Sequence, residues 1–437
     1  MDAAKRIMLV LLDGAADRQQ AVLGGRTPLE AAATPNLDAL AAAGASARMY
    51  PIAPGIAPSS QQAHWSLFGY EQASFPGRGY LEALGEGLTP ATGEVVVRTN
   101  LARVEERAGA FQIVERPDPR TGTADLAGVE LDATIDGVEV TFMHTDHLQG
   151  LLTLRPQRGA LSHQVSDADP LAEGWPVVAV QPFEEAADQE AARRTARVLN
   201  EWMLRAHQRL LGRELDFVLL KWAGARPEVP SFAQKFGLRG ASLGAGPLYA
   251  GLAAALGMSH VEMPADLRDP RHDLEMRLDA ATDLLADVDF VHVHTKVPDH
   301  VSHKKDPLLK VAALESLDAG LEGLVRGRRW EEDLVIAVTA DHATPSSGEL
   351  YHSGEAVPLL VLGGAPGVDG VSSFGESACG SGLLGQLVGT DLMPVLLNAA
   401  DRTGFLGDRL TGRRMVARPS QADVEPLAPR EEGRRDA

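Results

Sequence analysis

The chain has 437 residues, 44% of them hydrophobic, and a net charge of −19. That length predicts two or three domains with ample core, and no apolar run approaches the roughly 18 residues of a membrane span. The acidic balance and the lack of a basic stripe exclude a nucleic-acid binder, and the single cysteine, Cys379, excludes an internal disulfide framework. A cytoplasmic setting is expected. The short basic runs at 326–329 and 304–305 read as solvated faces. A phosphorylated, anionic substrate would need metals and a few placed cations to bind so acidic a chain.

The N-terminal stretch MDAAKRIMLVLLDG has a basic pair and a short apolar run. The run ends in Asp-Gly, not in a small-residue cleavage site, so it reads as a first strand buried on both faces. In TPLEAAATPNLDALAAAG the pattern predicts an extended TP segment and a helix from Pro35 to Ala43. Thr34 would be its N-cap, Pro35 its first helical residue and Gly44 its stop. From about 78 to 228 the texture changes. GEVVVRTNLARVEE, GAFQIVER and GVEVTFMHT alternate as strands of an antiparallel sheet do, and a long amphipathic helix follows from EEAADQ to HQRLL. From about 230 to 415 strand and helix alternate again, with DVDFVHVH, a helix around LLKVAALESLDAGLEGLV, DLVIAVTA and PLLVLGG. The organisation predicted is an α/β core, 1–77 with 229–415, interrupted by an inserted α+β domain, 78–228. A Pro-, Arg- and Glu-rich tail, 416–437, is expected to be disordered.

Chemistry-bearing residues gather where apolar runs end. LVLLDG supplies Asp13, HTKVPDHVSH supplies Asp299 and His303, VIAVTADHATP supplies Asp341 and His342, and YHSG supplies His352. Each alone has an ordinary reading as a strand-end turn or a surface helix. Together they are the acids and imidazoles that a site for two divalent metals needs, because buried side chains of this kind are costly unless paired or ligated. Asp299 and His303, four apart, fall on one side of a helix or tight loop. Two metals can bind a phosphate between them and ionise a hydroxyl nucleophile. The candidate nucleophiles are Ser59 and Ser60 in GIAPSSQQAHWSLFGY, on a Pro-led turn before a helix. Either could equally be a helix N-cap.

The ordered series LLDG, RTPLEAAATPNLDALAAAG, SLFGY, GRGYLEALGEG, VVVRTN, VSDADP, DHVSH, TADHATP and HSGEAVPLLV resembles the archaeal-type, cofactor-independent phosphoglycerate mutases of the alkaline phosphatase superfamily. The resemblance runs to about residue 415. It implies an alkaline-phosphatase-like α/β core with a mostly parallel sheet and an inserted substrate-binding lid. It selects Ser60 as the nucleophile that becomes phosphoserine. One metal would be held by Asp299, His303 and His352, the other by Asp13, Ser60, Asp341 and His342. Manganese is expected, with zinc, magnesium and cobalt compatible with the same donors. The resemblance also places Lys296 near the phosphate, and Arg98, Asp167 and Asp169 on the lid as substrate-binding residues. The lid would exclude the water that hydrolyses such an intermediate.

The departures from the family pattern cluster around substrate and nucleophile. Ser59 replaces a glycine and Gln61 an acid beside the nucleophile. Ala250 replaces a lysine, and Lys221-Trp222 stands for Arg-Gly. Ser302-His303-Lys304 stands for Gly-His-Asp. Every inferred metal ligand is in place. Two alternatives to a phosphoglycerate mutase follow. One is a related mutase or phosphohydrolase on another small phosphorylated or phosphonate carboxylic acid. The other is a non-catalytic ligand-binding relative.

Overall fold

The computed structural model describes residues 5–119, 121–364, 367–412, 416, 419 and 421–428. Most of the tail expected to be disordered lies outside the described residues. Among them, no helix is long and apolar enough to cross a membrane.

The chain opens with β1 (Arg6–Leu12), α1 (Pro28–Ala31), α2 (Pro35–Ala42), β2 (Ala45–Tyr50), α3 (Ser60–Leu67) and α4 (Arg78–Gly85). A second group follows: β3 (Val95–Arg107), β4 (Ala110–Glu115), β5 (Ala133–Ile135), β6 (Val138–His144), β7 (Gln149–Pro156), α5 (Gln189–Leu210) and β8 (Phe217–Ala225). Alternation resumes with α6 (Phe232–Phe236), β9 (Gly240–Gly244), α7 (Pro247–Ala255), β10 (Ser259–Glu262), α8 (Pro270–Leu284), β11 (Phe290–Thr295), α9 (Val297–Ser302) and α10 (Pro307–Gly320). The last elements used below are β12 (Leu334–Thr339), β13 (Val357–Leu362) and β14 (Gly385–Val388).

Eight strands form one sheet in the order β10-β9-β11-β1-β12-β13-β2-β14. Its centre is parallel: β1 pairs with β11 on one side and β12 on the other. β1 and β12 carry almost unbroken apolar runs, as burial on both faces requires, and β11 is equally buried but carries His292 and His294. The α/β class and the mostly parallel sheet expected from the sequence are therefore present. β13 runs antiparallel to β12 and to β2.

Two local expectations are corrected. The TP segment is helical: Thr27 and Glu30 form a reciprocal capping box over α1. Thr34 does precede α2, but its side chain makes no capping hydrogen bond. The strand β2 has no counterpart among the expected elements.

A second, antiparallel sheet runs β4-β3-β7-β6-β5, with β8 on the other edge of β3. Its own apolar cluster includes Trp202 and Leu199 of α5 with Val97, Leu152 and Phe217. Helix α4 lies between the two sheets. It packs on α7 through backbone: a Cβ on Gly251 would sit 1.6 Å from the Leu81 carbonyl. Only a residue without a side chain permits that approach.

Candidate metal centre

Three adjacent parallel strands end together. Leu12 of β1 pairs with Thr295 of β11, and Leu11 pairs with Thr339 of β12. The next residues of each strand are therefore delivered to one place: Asp13, then Lys296, then Asp341 and His342. This is the carboxyl edge of the sheet, where ligands of α/β folds bind. Helix α9 follows β11 directly and brings Asp299, with His303 as its C-cap. Ser60 opens α3, and His352 enters on the loop after β12.

Two groups converge. The first centres on His342 Nε2, which lies 3.0 Å from Ser60 Oγ, 3.3 Å from Asp13 Oδ1 and 3.2 Å from Asp341 Oδ2. The second centres on Asp299 Oδ1, with His303 Nε2 at 3.1 Å and His352 Nε2 at 3.5 Å. Ligand atoms of Asp13, Asp341 and His342 all lie within 4.8 Å of one another, and so do those of Asp299, His342 and His352. His342 thus stands in both groups, where the resemblance gave it to one.

The surrounding hydrogen bonds aim these atoms. The Thr344 hydroxyl donates to Asp299 Oδ1 (3.1 Å) and contacts His342 Nδ1 (3.0 Å). Because that hydroxyl hydrogen is committed to Asp299, His342 must carry its proton on Nδ1, which leaves Nε2 with a free lone pair. His352 Nδ1 meets the Pro58 carbonyl at 2.8 Å, with the same effect on its Nε2. Asp13 Oδ2 accepts from Tyr249 (3.1 Å), His294 (2.9 Å) and Lys296 (3.1 Å). Its other oxygen is left to face the cluster. Asp341 repeats the pattern, with Oδ1 accepting from the Gly14 backbone N–H at 3.0 Å. Lys296 also donates to Asp299 Oδ2 (3.3 Å), so one ammonium spans both groups.

Asp13 Oδ1, Asp341 Oδ2, His303 Nε2 and His352 Nε2 are buried atoms with no hydrogen-bond partner. The two carboxylate oxygens and, with its Nδ1 on the Pro58 carbonyl, His352 Nε2 present lone pairs to the cluster. Buried polar atoms are rarely left so, and a divalent cation is the species that mixed carboxylate and imidazole donors would satisfy. The electrostatics agree. Burial, with His352 next, lowers the His342 pKa to about 3, which keeps the ring in its ligating, neutral form. Burial and the neighbouring Asp13 push Asp341 well above the usual carboxylate range. A positive charge would relieve that crowding. Burial works against charge on Asp13 and on Lys296 alike. It is outweighed, chiefly by each for the other, so Asp13 is held low and Lys296 high.

A metalloenzyme-superfamily model matches residues 5–399. The chain is 32% identical to the 2,3-bisphosphoglycerate-independent phosphoglycerate mutase 2 of Methanocaldococcus jannaschii, over 97% of this chain and 99% of that one. It is 34% identical to the Ignicoccus hospitalis enzyme of the same type, over 92% and 99%. The chain belongs to the cofactor-independent phosphoglycerate mutase family. Its fold matches the cofactor-independent mutase of Thermoplasma acidophilum with a TM-score of 0.62 and 28% identity, over 91% of this chain and all of that one. A Pyrococcus horikoshii protein matches with a TM-score of 0.73 and 27% identity, over 93% and 100%.

The three residues that the resemblance assigns to a lid, Arg98, Asp167 and Asp169, lie at or beside the second sheet, apart from the two groups above. Arg98 bonds to Glu82 and Gln149. Asp167 accepts from the Trp222 backbone N–H at 2.6 Å. Asp169 holds Arg116 by two bonds, at 2.9 and 2.8 Å, and lies 3.5 Å from Lys221. Burial lowers the Lys221 pKa to about 8. Trp222, where the family pattern has glycine, sits at φ +57° in a bulge of β8 against β3. Lys221 Nζ and Arg78 each stand 4.2 Å from its ring centroid. Ser59 is the N-cap of α3, and its hydroxyl donates to Gln62 at 3.0 Å, away from the metal-competent groups.

Thr344, Tyr249 and His294, which orient the candidate ligands, do not stand out in the sequence. A threonine two residues after His342 is the available signal for the first. The other two are indistinguishable there from core residues.

Proposed function

We propose that this chain interconverts 2-phosphoglycerate and 3-phosphoglycerate through a phosphoserine at Ser60. Two divalent cations, manganese by preference, would be held by Asp13, Ser60, Asp341 and His342 and by Asp299, His303 and His352. The observation that carries this reading is the placement of Ser60 Oγ 3.0 Å from His342 Nε2, on the atom where Asp13 and Asp341 also converge. The nucleophile is thereby built into a ligand group.

When bound, the cations supply positive charge that lowers the pKa of the serine hydroxyl and neutralises phosphoryl oxygens. The chain's own residues do the rest. Ser60, at the first position of α3, forms the Oγ–P bond as the bond from phosphorus to the glycerate oxygen breaks, and the serine proton ends on that oxygen. Glycerate turns in place and its other hydroxyl takes the group back, which restores the serine. Lys296, held between Asp13 and Asp299, offers an ammonium to the transferring oxygens. The second sheet, 78–228 with Arg98, Asp167 and Asp169, acts as the lid that binds the glycerate end and excludes water.

Purified protein supplied with Mn²⁺ and either phosphoglycerate should convert each into the other, and Ser60→Ala should not. Release of inorganic phosphate without isomerisation would overturn the mutase reading in favour of a hydrolase. One observation favours a different substrate as the second reading: Trp222 fills, in a strained conformation, a place beside Lys221 and Arg98 where the family pattern has no side chain. Turnover of another small phosphorylated or phosphonate carboxylic acid in preference to phosphoglycerate would support it.

A further inference from the structure

Lys310 of α10 is completely buried. A buried ammonium persists only when its donors are met. Its Nζ donates to the carbonyls of Gly14, Ala16 and Thr344, each at 2.9 Å, and pairs with Asp17 Oδ2 at 3.1 Å. Asp17 in turn accepts from the Ser346 backbone N–H on that same oxygen, at 3.0 Å. Its other oxygen accepts from the Arg18 N–H (2.6 Å) and the Gln20 amide (3.1 Å). One ion pair therefore ties together the loop after β1 and the loop after β12. Gly14 directly follows Asp13. Thr344 is the residue whose hydroxyl bridges Asp299 and His342.

The partners are chosen for position. Three of the four are backbone carbonyls on the two segments that bear Asp13, Asp341 and His342. With only oxygens around it, the nitrogen must be protonated: its three N–H groups are shared among four acceptors, and a neutral amine would turn its lone pair on one of them. A planar guanidinium would not place its N–H groups on carbonyls converging from separate loops. The lysine itself stands on a fixed base: α10 begins at Pro307, and Asp306 caps it by accepting from the Leu308 and Leu309 N–H groups at 2.9 and 3.2 Å.

We propose that Lys310, through the Lys310–Asp17 pair, is a positioning residue that sets the separation of the two ligand-bearing loops and so the affinity of the site for divalent cations. The proposal rests on the reading of those loops as cation ligands.

The test uses the full chain as wild type, Lys310→Met, Asp17→Asn and, as a destabilised control, Leu314→Ala, a buried residue of the same helix. Mn²⁺ affinity is read by calorimetric titration, and loop mobility by amide hydrogen exchange. Lys310→Met should bind Mn²⁺ roughly 10- to 100-fold more weakly, the usual cost of losing an outer partner. Exchange should rise in both 13–17 and 341–346. Asp17→Asn should move both readouts the same way, and Leu314→Ala should leave Mn²⁺ affinity unchanged. Unchanged affinity in Lys310→Met, or equal loss in the Leu314→Ala control, would overturn the proposal. If Lys310→Met does not fold, Asp17→Asn decides by the same criteria. If wild type binds no Mn²⁺, the cation reading fails on its own, and the clamp stands or falls on exchange in the two loops.

Discussion

Gly14→Ala is the perturbation whose cost the structure resolves most clearly. Gly14 sits at φ +65°, and a Cβ there would lie 2.5 Å from Thr344 Oγ1 and 3.0 Å from both Cα and Cβ of Asp299. The left-handed backbone alone costs a residue with a side chain about 1–2 kcal/mol. Forcing a methyl group into a filled site adds about 1–3 kcal/mol. Together these come to about 2–5 kcal/mol, and the displaced atom is the hydroxyl that orients His342 and Asp299. Gly25→Ala separates the two contributions. Gly25 has φ +81°, and a Cβ there would meet nothing within 4 Å, so only the backbone cost of about 1–2 kcal/mol applies. Both variants are compared with wild type by denaturant midpoint in chelator, and then by Mn²⁺ titration. Gly14→Ala should be the less stable of the two and should lose Mn²⁺ affinity, while Gly25→Ala keeps it. Equal stability losses, or intact Mn²⁺ binding in Gly14→Ala, would refute the claim that Gly14 exists to clear Thr344.

Chelation should destabilise the protein in a concentration-dependent way. Each cation site at about a hundred times its dissociation constant adds about 2.7 kcal/mol, so unfolding temperature should climb with Mn²⁺ and fall in excess chelator; a temperature indifferent to both would contradict the metal centre. Stability should also depend on Glu376, whose carboxylate burial raises to about 7 from 4.5. A raised folded-state pKa favours the protonated form, so its stabilisation is complete below pH 4.5 and is lost as pH rises through 7, at most about 3 kcal/mol. Glu376→Gln stays neutral throughout, so its stability relative to wild type should improve between about pH 5 and 8. A constant difference across that range would rule the effect out.

The parts of this molecule legible in its sequence are those where burial leaves a strong signature. The runs RIMLVLL and LVIAVT are apolar almost throughout because β1 and β12 are covered on both faces, whereas β11, FVHVHT, alternates apolar residues with buried histidines. A carboxylate at the end of such a run has few structural reasons to be there, which makes Asp13 and Asp341 visible. β2 escapes notice because four of the six residues of ASARMY are small or polar, which leaves no apolar run to read. α1 escapes it although Thr27 and Glu30 carry the spacing of a capping box, because a four-residue helix leaves no periodicity to read. Sharing of His342 between two groups is a property of three-dimensional convergence. So is the place of Lys310, which in the sequence is one more polar position on an amphipathic helix. The hydroxyls of Thr344 and Tyr249 are silent because their function lies in where a hydrogen points.

Everything proposed for the chemistry turns on Ser60 as the residue that takes the phosphoryl group. The direct measurement is peptide-level mass spectrometry of protein quenched during turnover of 3-phosphoglycerate with Mn²⁺. A phosphoserine should be found at Ser60 and be lost in Ser60→Ala. Phosphate found at Ser59, or turnover by an enzyme that never becomes phosphorylated, would contradict the mechanism.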